Sequence, residues 1–298
     1  MAFAGSPGID VESVTRMILV FGKSGQVATE LQRQGRVTAL GREDADLSDP
    51  DACARAIRQA GASSVINAAA YTAVDKAEED EALANVINGD APGAMARACA
   101  ALGIPFLHVS TDYVFAGDGT SARTEEDPVA PPNAYGRSKL SGERQVAAAR
   151  GNWAILRTSW VFSAHGHNFV KTMLRLSESH QALKIVNDQT GGPTPAAAIA
   201  AALLVMANAM QKGQTGGVYH FAGKPDLSWA EFAKEIFRQS GRVVDVTGIP
   251  TSAYPTPAVR PLNSRLECSK IRRDFGIEPP DWKAGLAQVL RDLKVSAA

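Results

Sequence analysis

Tyr135 and Lys139 stand four residues apart in Tyr135-Gly136-Arg137-Ser138-Lys139. With Leu140, Gly142 and Glu143 following, the stretch reads as the opening turns of a helix, where residues at this spacing share one face. A phenol has an intrinsic pKa of about 10 and is a poor acid or base at neutral pH. A cation held beside it favours the phenolate and brings the group toward the working range. The pair is therefore a unit able to pass a proton to or from a carbonyl or alcohol oxygen. Tyrosine and lysine also meet at this spacing on ordinary solvated helices, so the surrounding elements decide between the two readings.

Those elements alternate between strand and helix. Met17 to Phe21 is a short apolar run of the kind buried parallel strands show. It enters Gly22-Lys23-Ser24-Gly25-Gln26-Val27-Ala28, and a helical pattern continues to Gln34. In this Gly-x-x-Gly-x-x-Ala loop, Gly22 permits the tight turn and Gly25 lets the backbone approach a pyrophosphate. Ala28 lets the helix pack close to the sheet. Val37 to Leu40 supplies a second strand ending in Gly41-Arg42. An acid there would hold the ribose of NAD, whereas Arg42 suits the 2′-phosphate of NADP. NADPH is the expected coenzyme, with NADH as a second one because Glu43 and Asp44 follow directly. Asp49 and Pro50 start the next helix, and Asp46 and Leu47 lie either beside the adenine or in an ordinary loop.

Ser64 to Ala70 is a third strand whose small final residues leave room for a cofactor against Tyr71 and Thr72. The acidic run Asp75 to Glu81 reads as a solvated helix face. A helix over Pro92 to Leu102 and a strand over Ile104 to Ser110 come next, with His108 a core residue of that strand. The strand runs into Thr111 and Asp112, where a hydroxyl could either serve the turn or bond a substrate carbonyl beside Tyr135. This alternation predicts an α/β fold with a Rossmann-type doubly wound parallel sheet.

Further along, Trp153 to Thr158 forms another strand, and Trp160 is either a packed core aromatic or an apolar wall at the strand end. His165-Gly-His167 lacks carboxylate or cysteine partners and reads as a loop, so no metal is expected. Ser228 opens a helix over Trp229 to Ser240 with a capping box. Thr251 to Arg265 is rich in proline, which forbids a regular element and holds a rigid extended loop. Within it Arg260, Asn263, Ser264 and Arg265 offer donors suited to a diphosphate, or, for the arginines, to surface salt bridges. Residues 1–16 are expected to be a leader. Residues 17–165 form an NAD(P)-binding domain, and residues 166–298 mainly a smaller α/β substrate domain with some segments packing back on the large sheet.

Lysine plus arginine and aspartate plus glutamate number 31 each, so no charge bias argues for nucleic acid or a membrane surface. Three scattered cysteines fit a reduced, cytoplasmic compartment rather than a disulfide framework. The longest apolar run, Ala196 to Ala207, falls short of the ~20 residues a spanning helix needs.

Gly22-x-x-Gly25-x-x-Ala28, Asn67-Ala-Ala-Ala70, Ser110-Thr-Asp-Tyr-Val-Phe115 and Tyr135-x-x-x-Lys139 occur in an order that resembles the extended short-chain dehydrogenase/reductase superfamily. Tyr71 to Glu78, Arg157 to Val161, Asn187 to Thr194 and Tyr254 to Leu266 narrow the resemblance to the dTDP-4-dehydrorhamnose reductase family, across nearly the whole chain. The resemblance implies that Tyr135 donates a proton, that Lys139 binds the nicotinamide ribose and tunes Tyr135, and that Thr111 polarises the keto oxygen. It implies that Gly25, Gln26 and Val27 meet the pyrophosphate, Asp46 and Leu47 the adenosine, and Ala70, Tyr71, Thr72 and Val109 the middle of the coenzyme. Asp112 and Trp160 would touch the sugar of a dTDP-sugar substrate. The implied reaction is reduction of dTDP-6-deoxy-L-lyxo-4-hexulose to dTDP-L-rhamnose by a monomer or homodimer. Two rivals share the resemblance: a nucleotide-sugar epimerase or dehydratase, and a non-catalytic regulatory subunit that acts by binding a partner enzyme.

Overall fold

The computed structural model describes residues 17–295, and the leader expected over residues 1–16 lies outside them. In chain order the first half comprises β1 (Ile18–Phe21), α1 (Gln26–Gln34), β2 (Val37–Leu40), α2 (Pro50–Ala60), β3 (Ser64–Asn67), α3 (Glu81–Asn85), α4 (Ala91–Leu102), β4 (Phe106–Thr111), α5 (Ala134–Ala148) and β5 (Trp153–Thr158). The second half adds β6 (Val161–Phe162), α6 (Phe169–Leu176), β7 (Ala182–Val186), β8 (Thr190–Gly191), β9 (Thr194–Pro195), α7 (Ala196–Gln211) and β10 (Val218–His220). It closes with β11 (Leu227–Ser228), α8 (Trp229–Ser240), β12 (Asp245–Ile249), β13 (Asn263–Ser264), α9 (Ser269–Phe275) and α10 (Trp282–Asp292).

The large sheet has six parallel strands in the order β10-β5-β4-β3-β1-β2. Its short strands are apolar almost throughout because both faces are covered. Alternate residues go to opposite sides. Leu19, Phe21 and Val65 join Cys53 and Ile57 of α2 and Met95 of α4 in one layer. Ile18, Val20, Ile66 and Leu107 join Leu31 of α1 and Leu203 and Met206 of α7 in the other. The strand order reverses at β1, between β2 on one side and β3 on the other, so their carboxyl ends open a crevice. A third apolar cluster, built on Phe162, Phe232, Ile236, Trp282 and Leu286, lies under the second half. Two segments from beyond residue 166, α7 and β10, belong to the layers of the large sheet.

Some elements differ from expectation. β3 stops at Asn67 rather than Ala70, because Asn67 Oδ1 accepts the Ala69 N–H at 3.1 Å and turns the chain. The acidic run is not simply a solvated helix face. Glu78 Oε1 accepts the Ala134 N–H at 2.8 Å, and Glu81 takes Arg137 in a two-pronged pair with both contacts at 2.8 Å. Asp75 Oδ2 accepts from Arg260 Nη2 at 2.6 Å. A pattern of charges does not reveal that its partners lie 56 to 185 residues away. Among the described residues no helix is long and apolar enough to cross a membrane.

The start of α5 is fixed from several sides. Asn133 Oδ1 accepts the Gly136 N–H at 2.8 Å, an N-cap, while its Nδ2 donates to the Val259 carbonyl at 2.8 Å. Gly136 is seated so tightly that a Cβ there would collide with the Tyr113 carbonyl oxygen. Overpacking of this kind typically costs about 1–3 kcal/mol. Gly136→Ala is expected to lower the denaturant midpoint accordingly, whereas an unchanged midpoint would contradict this seating of the helix.

Candidate active site

The carboxyl ends of β1, β3, β4 and β5 deliver the sequence-selected residues to one crevice. After β1, Gly22 has φ +107°, a conformation that side chains rarely adopt, and its N–H bonds the Leu40 carbonyl at 2.9 Å. Gly25 precedes α1 with no side-chain cap on the helix's first N–H groups. A Cβ built on Gly25 would meet nothing within 4 Å. Uncapped N–H groups at the positive end of a helix dipole, facing open space, suit a pyrophosphate. Val27 is buried in the layer beneath. Gln26 has a second attachment, since its Oε1 accepts from Ser163 Oγ and Asn168 Nδ2, each at 2.9 Å, and ties the loop to the second half.

Beyond β2, Arg42 is exposed. Its neighbour Glu43 is held by Lys23, Nζ to Oε1 2.9 Å. Asp46 and Leu47 are half-buried, and Asp46 Oδ1 accepts the Ser48 N–H at 2.9 Å, which holds its carboxyl below the usual range. Beyond β3, Ala70 and Tyr71 are half-buried and Thr72 is exposed. The Tyr71 backbone is clamped by Asn88, whose Oδ1 accepts the Tyr71 N–H at 2.8 Å and whose Nδ2 donates to the Tyr71 carbonyl at 3.0 Å. The same Nδ2 reaches Ser138 Oγ of α5 at 2.9 Å, so one buried amide joins the loop after β3 to the tyrosine helix.

At the end of β4 the catalytic candidates converge. Thr111 Oγ accepts the Tyr113 N–H at 3.2 Å and donates to Asp112 Oδ1 at 3.1 Å, so it does serve the turn. Tyr135 is half-buried, with Tyr113 edge-on to its ring at 5.6 Å between centroids. Burial raises the phenol's pKa and Asp112 and Tyr113 add to that, while the nearby Thr111 hydroxyl opposes it. Tyr135 is therefore a phenol, not a phenolate, in this structure. Lys139, 2% exposed, donates from Nζ to the Val109 carbonyl at 2.7 Å and lies 3.2 Å from His108 Nε2. Burial pulls its pKa down to about 8 against the pull of Glu143.

Asp112 is buried, and its Oδ2 has no hydrogen-bond partner. Burial pushes its carboxyl up to about 6, opposed by the nearby Ser264 and Thr111 hydroxyls. Tyr71 Oη, Ser110 Oγ and Thr158 Oγ are also buried without partners at the ends of these same strands. Buried polar atoms are nearly always satisfied, so orphans gathered at a crevice mark where ligand atoms would pair. The donors and open loop fit a dinucleotide.

Trp160 follows β5 at φ +49°, unusual for a bulky side chain and a mark of a constrained site. Its ring stacks on Trp229 with centroids 3.5 Å apart and 10° between planes, so α8 fixes it. It borders Gly191, where an added Cβ would meet both its ring and Ser264. Arg260, placed on the diphosphate by sequence reasoning, is paired with Asp75 as described above. Asn263 and Ser264 are buried in β13. The Asn263 amide donates to the carbonyls of Asp118 and Ser121 at 3.2 and 2.8 Å, and so braces the loop after β4. Sequence reasoning overlooked Asn67, Asn88 and Asn133. Asn133 stands where the N-cap rule puts such a residue, directly before α5, whereas no spacing rule reveals the bridging amides of Asn67 and Asn88. The π-helical turn Val86–Asp90 that carries Asn88 is the nearest thing to a signal, since such turns collect at functional sites.

The family described as RmlD substrate binding domain matches residues 16–295. A curated dTDP-4-dehydrorhamnose reductase of Burkholderia thailandensis is 46% identical over 294 residues, covering 93% of this chain and 98% of the relative. A solved dTDP-4-dehydrorhamnose reductase of Clostridium acetobutylicum superposes with a TM-score of 0.87 at 36% identity, over 93% of this chain and 99% of that one. The Bacillus anthracis enzyme of the same name, solved in complex with NADP, gives a TM-score of 0.87 at 32% identity, over 93% and 99%.

The Asp112 carboxyl yields a stability prediction. Its native pKa of about 6 lies above the ordinary carboxylate value, so between pH 4 and 6 the folded state binds a proton that the unfolded state releases. Stability from this group is then present at pH 4 and lost as pH rises through 6, by about 3 kcal/mol at most for a two-unit shift. Asp112→Asn is expected to remove that loss in denaturant titrations across the window. Equal slopes for the two proteins would contradict the assignment.

Proposed function

The chain belongs to the dTDP-4-dehydrorhamnose reductase family, and we propose that Tyr135 is the proton donor in its reduction of dTDP-6-deoxy-L-lyxo-4-hexulose to dTDP-L-rhamnose. The observation that carries this reading is that Thr111 lies within reach of Tyr135 while Lys139 binds the Val109 carbonyl near the end of β4, on the same sheet edge as the open Gly22–Gly25 loop. When bound, reduced coenzyme supplies the hydride to C4 of the sugar. Gly25, Gln26 and Val27 would hold its pyrophosphate through backbone N–H groups, Asp46 and Leu47 its adenosine, and Ala70, Tyr71, Thr72 and Val109 its middle. Arg42, exposed and with Glu43 engaged by Lys23, would take a 2′-phosphate, which favours NADPH, with NADH also used.

Thr111, turning its O–H away from Asp112, would donate a hydrogen bond to the keto oxygen and help orient it. Burial raises the proton affinity of Tyr135, which keeps its proton in place but opposes release, so Lys139 would have to offset that rise. A phenol held protonated keeps its proton until the oxygen of the reduced carbon gathers negative charge, then gives it up. Lys139 would hold the coenzyme's ribose and stabilise the phenolate left behind. Trp160 would form the apolar wall for the sugar, with Asp112 bonding its hydroxyls. Arg260, Asn263 and Ser264 would line the nucleotide side, with Arg260 moving from or sharing Asp75. Residues 17–165 would act as the coenzyme domain and 166–298 mainly as the substrate domain, in a cytoplasmic monomer or homodimer. The three cysteines are unpaired and buried, in keeping with a reducing compartment.

Two measurements test this. Tyr135→Phe, assayed by oxidation of NADPH with the ketosugar, is expected to lose about 10²–10⁴-fold in kcat while coenzyme binding stays intact; undiminished turnover would remove the assignment. Arg42→Ala is expected to lower the ratio of kcat/KM for NADPH over NADH by roughly tenfold or more, the value of a hydrogen bond to a charged group. An unaltered ratio would mean that another residue reads the 2′-phosphate.

A further inference from the structure

Asn133, directly before α5, makes two contacts that leave its amide only one way to sit. Oδ1 accepts the Gly136 N–H and Nδ2 donates to the Val259 carbonyl, each at 2.8 Å. An N–H needs an acceptor and a carbonyl needs a donor, so the amide turned over would satisfy neither. Asparagine, aspartate, serine and threonine all cap a helix well. Aspartate has no donor for Val259, and a hydroxyl is too short to cap the helix and span to the loop as well. Capping alone therefore does not call for asparagine here. The bond to Val259 does.

That bond is made next to Arg260. Three successive residues of the proline-rich loop are bound to the first half of the chain. Asp75 Oδ1 accepts the Ala258 N–H at 3.2 Å, Asn133 takes the Val259 carbonyl, and Asp75 Oδ2 accepts from Arg260 Nη2 at 2.6 Å. The Val259 carbonyl shares its peptide plane with the Arg260 nitrogen, so Asn133 sets that plane. On the other side, Pro261 steers Arg260 away from helical backbone and is wedged against Gly117, where an added Cβ would collide with it. The Arg260 backbone is thus bracketed while its side chain keeps the freedom to turn. Its guanidinium lies near the Tyr113 phenol, whose ring stands edge-on to Tyr135. The two ties differ in kind. Asp75 competes with any anion for the guanidinium, and its side chain is 43% exposed. Asn133 is uncharged, 1% exposed and bound to backbone, so its hold survives when Arg260 turns to a phosphate.

We infer that Asn133 is a positioning residue for the substrate's diphosphate. It acts through Arg260, by fixing the backbone on which the guanidinium turns from Asp75 to the phosphates. It does so from the cap of the helix that carries Tyr135, which ties the nucleotide end of the site to the reacting end. The inference rests on the reading that Arg260 meets the diphosphate of a dTDP-sugar.

Calorimetric titration of the full-length protein with dTDP tests it in Asn133→Ser and Asn133→Thr, which keep a cap and add no charge. Each is expected to raise the Kd for dTDP roughly 3–10-fold, the worth of one neutral hydrogen bond. The KM for the ketosugar nucleotide should rise alike while the KM for NADPH stays unchanged. General loosening of α5 would not give that split, because Lys139 is on the same helix. In an Arg260→Ala background, Asn133→Ser is expected to cost little further, since the group it positions is gone. Unchanged dTDP affinity in the folded variants, or the same loss with and without Arg260, would overturn the inference alone. Unfolding of both variants would overturn it too, because caps of equal rank would then fail to hold the helix. Wild type that does not bind dTDP, or Arg260→Ala that binds it as wild type does, would bring down the underlying reading and the inference together.

Discussion

A lysine side chain buried to 2% exposure at the carboxyl edge of a parallel sheet is the constraint on which the rest of the site depends. Burial of an amine is costly unless its donors are matched. Here the Val109 carbonyl and His108 provide the match. Holding Nζ there fixes the rotation of α5 about its axis, and so fixes where Tyr135 stands one turn earlier. The N-cap by Asn133, the Glu78 contact and the collision-close fit of Gly136 against Tyr113 fix the helix along its axis. A phenol and an amine placed in this way need little reorganisation before a proton moves, which is the part of catalysis that a folded scaffold supplies best.

The two halves of the chain are joined at the places where a substrate would lie. Gln26 of the phosphate loop bonds Ser163 and Asn168, Asn133 bonds Val259, and Asp75 bonds Arg260. Trp160 is pressed against Trp229, whose Nε1 donates to Gln189, whose amide in turn donates to Thr251 at 3.1 Å. The proline-rich loop is thus held by Asn133 and Asp75 of the first half and, through Gln189, by the Trp160–Trp229 stack. Closing a sugar nucleotide between such segments excludes water from the reacting carbon and strengthens every polar contact made to it.

Much of the fold was legible because it follows from local rules. The buried strand runs, the glycine loop, the Ser228 capping box and the Tyr135 helix are all patterns within a few residues of sequence. What escaped the sequence is non-local. Asp75, Glu78 and Glu81 looked like a solvated face because the groups that bind them, Arg260, Ala134 and Arg137, are far along the chain. The amide clamps of Asn67 and Asn88 are equally invisible, since each bonds an element that only the folded sheet brings near. His108 reads as a core residue, and it is one; that its ring also touches Lys139 follows from β4 and α5 lying side by side. The tyrosine's raised proton affinity, opposite to the shift that a neighbouring cation would give, arises from burial, which a spacing of four residues cannot express.

Hydride delivery to C4 of the ketosugar, with Tyr135 proposed to protonate the oxygen, leaves an isotopic mark in the product. Incubation with NADPH carrying deuterium at its transferable position, followed by proton NMR of the sugar product, tests it most directly. One equivalent of deuterium at C4 of dTDP-L-rhamnose and one equivalent of oxidised coenzyme per product are expected. Product without deuterium at C4, or turnover with the coenzyme unchanged in amount, would contradict it.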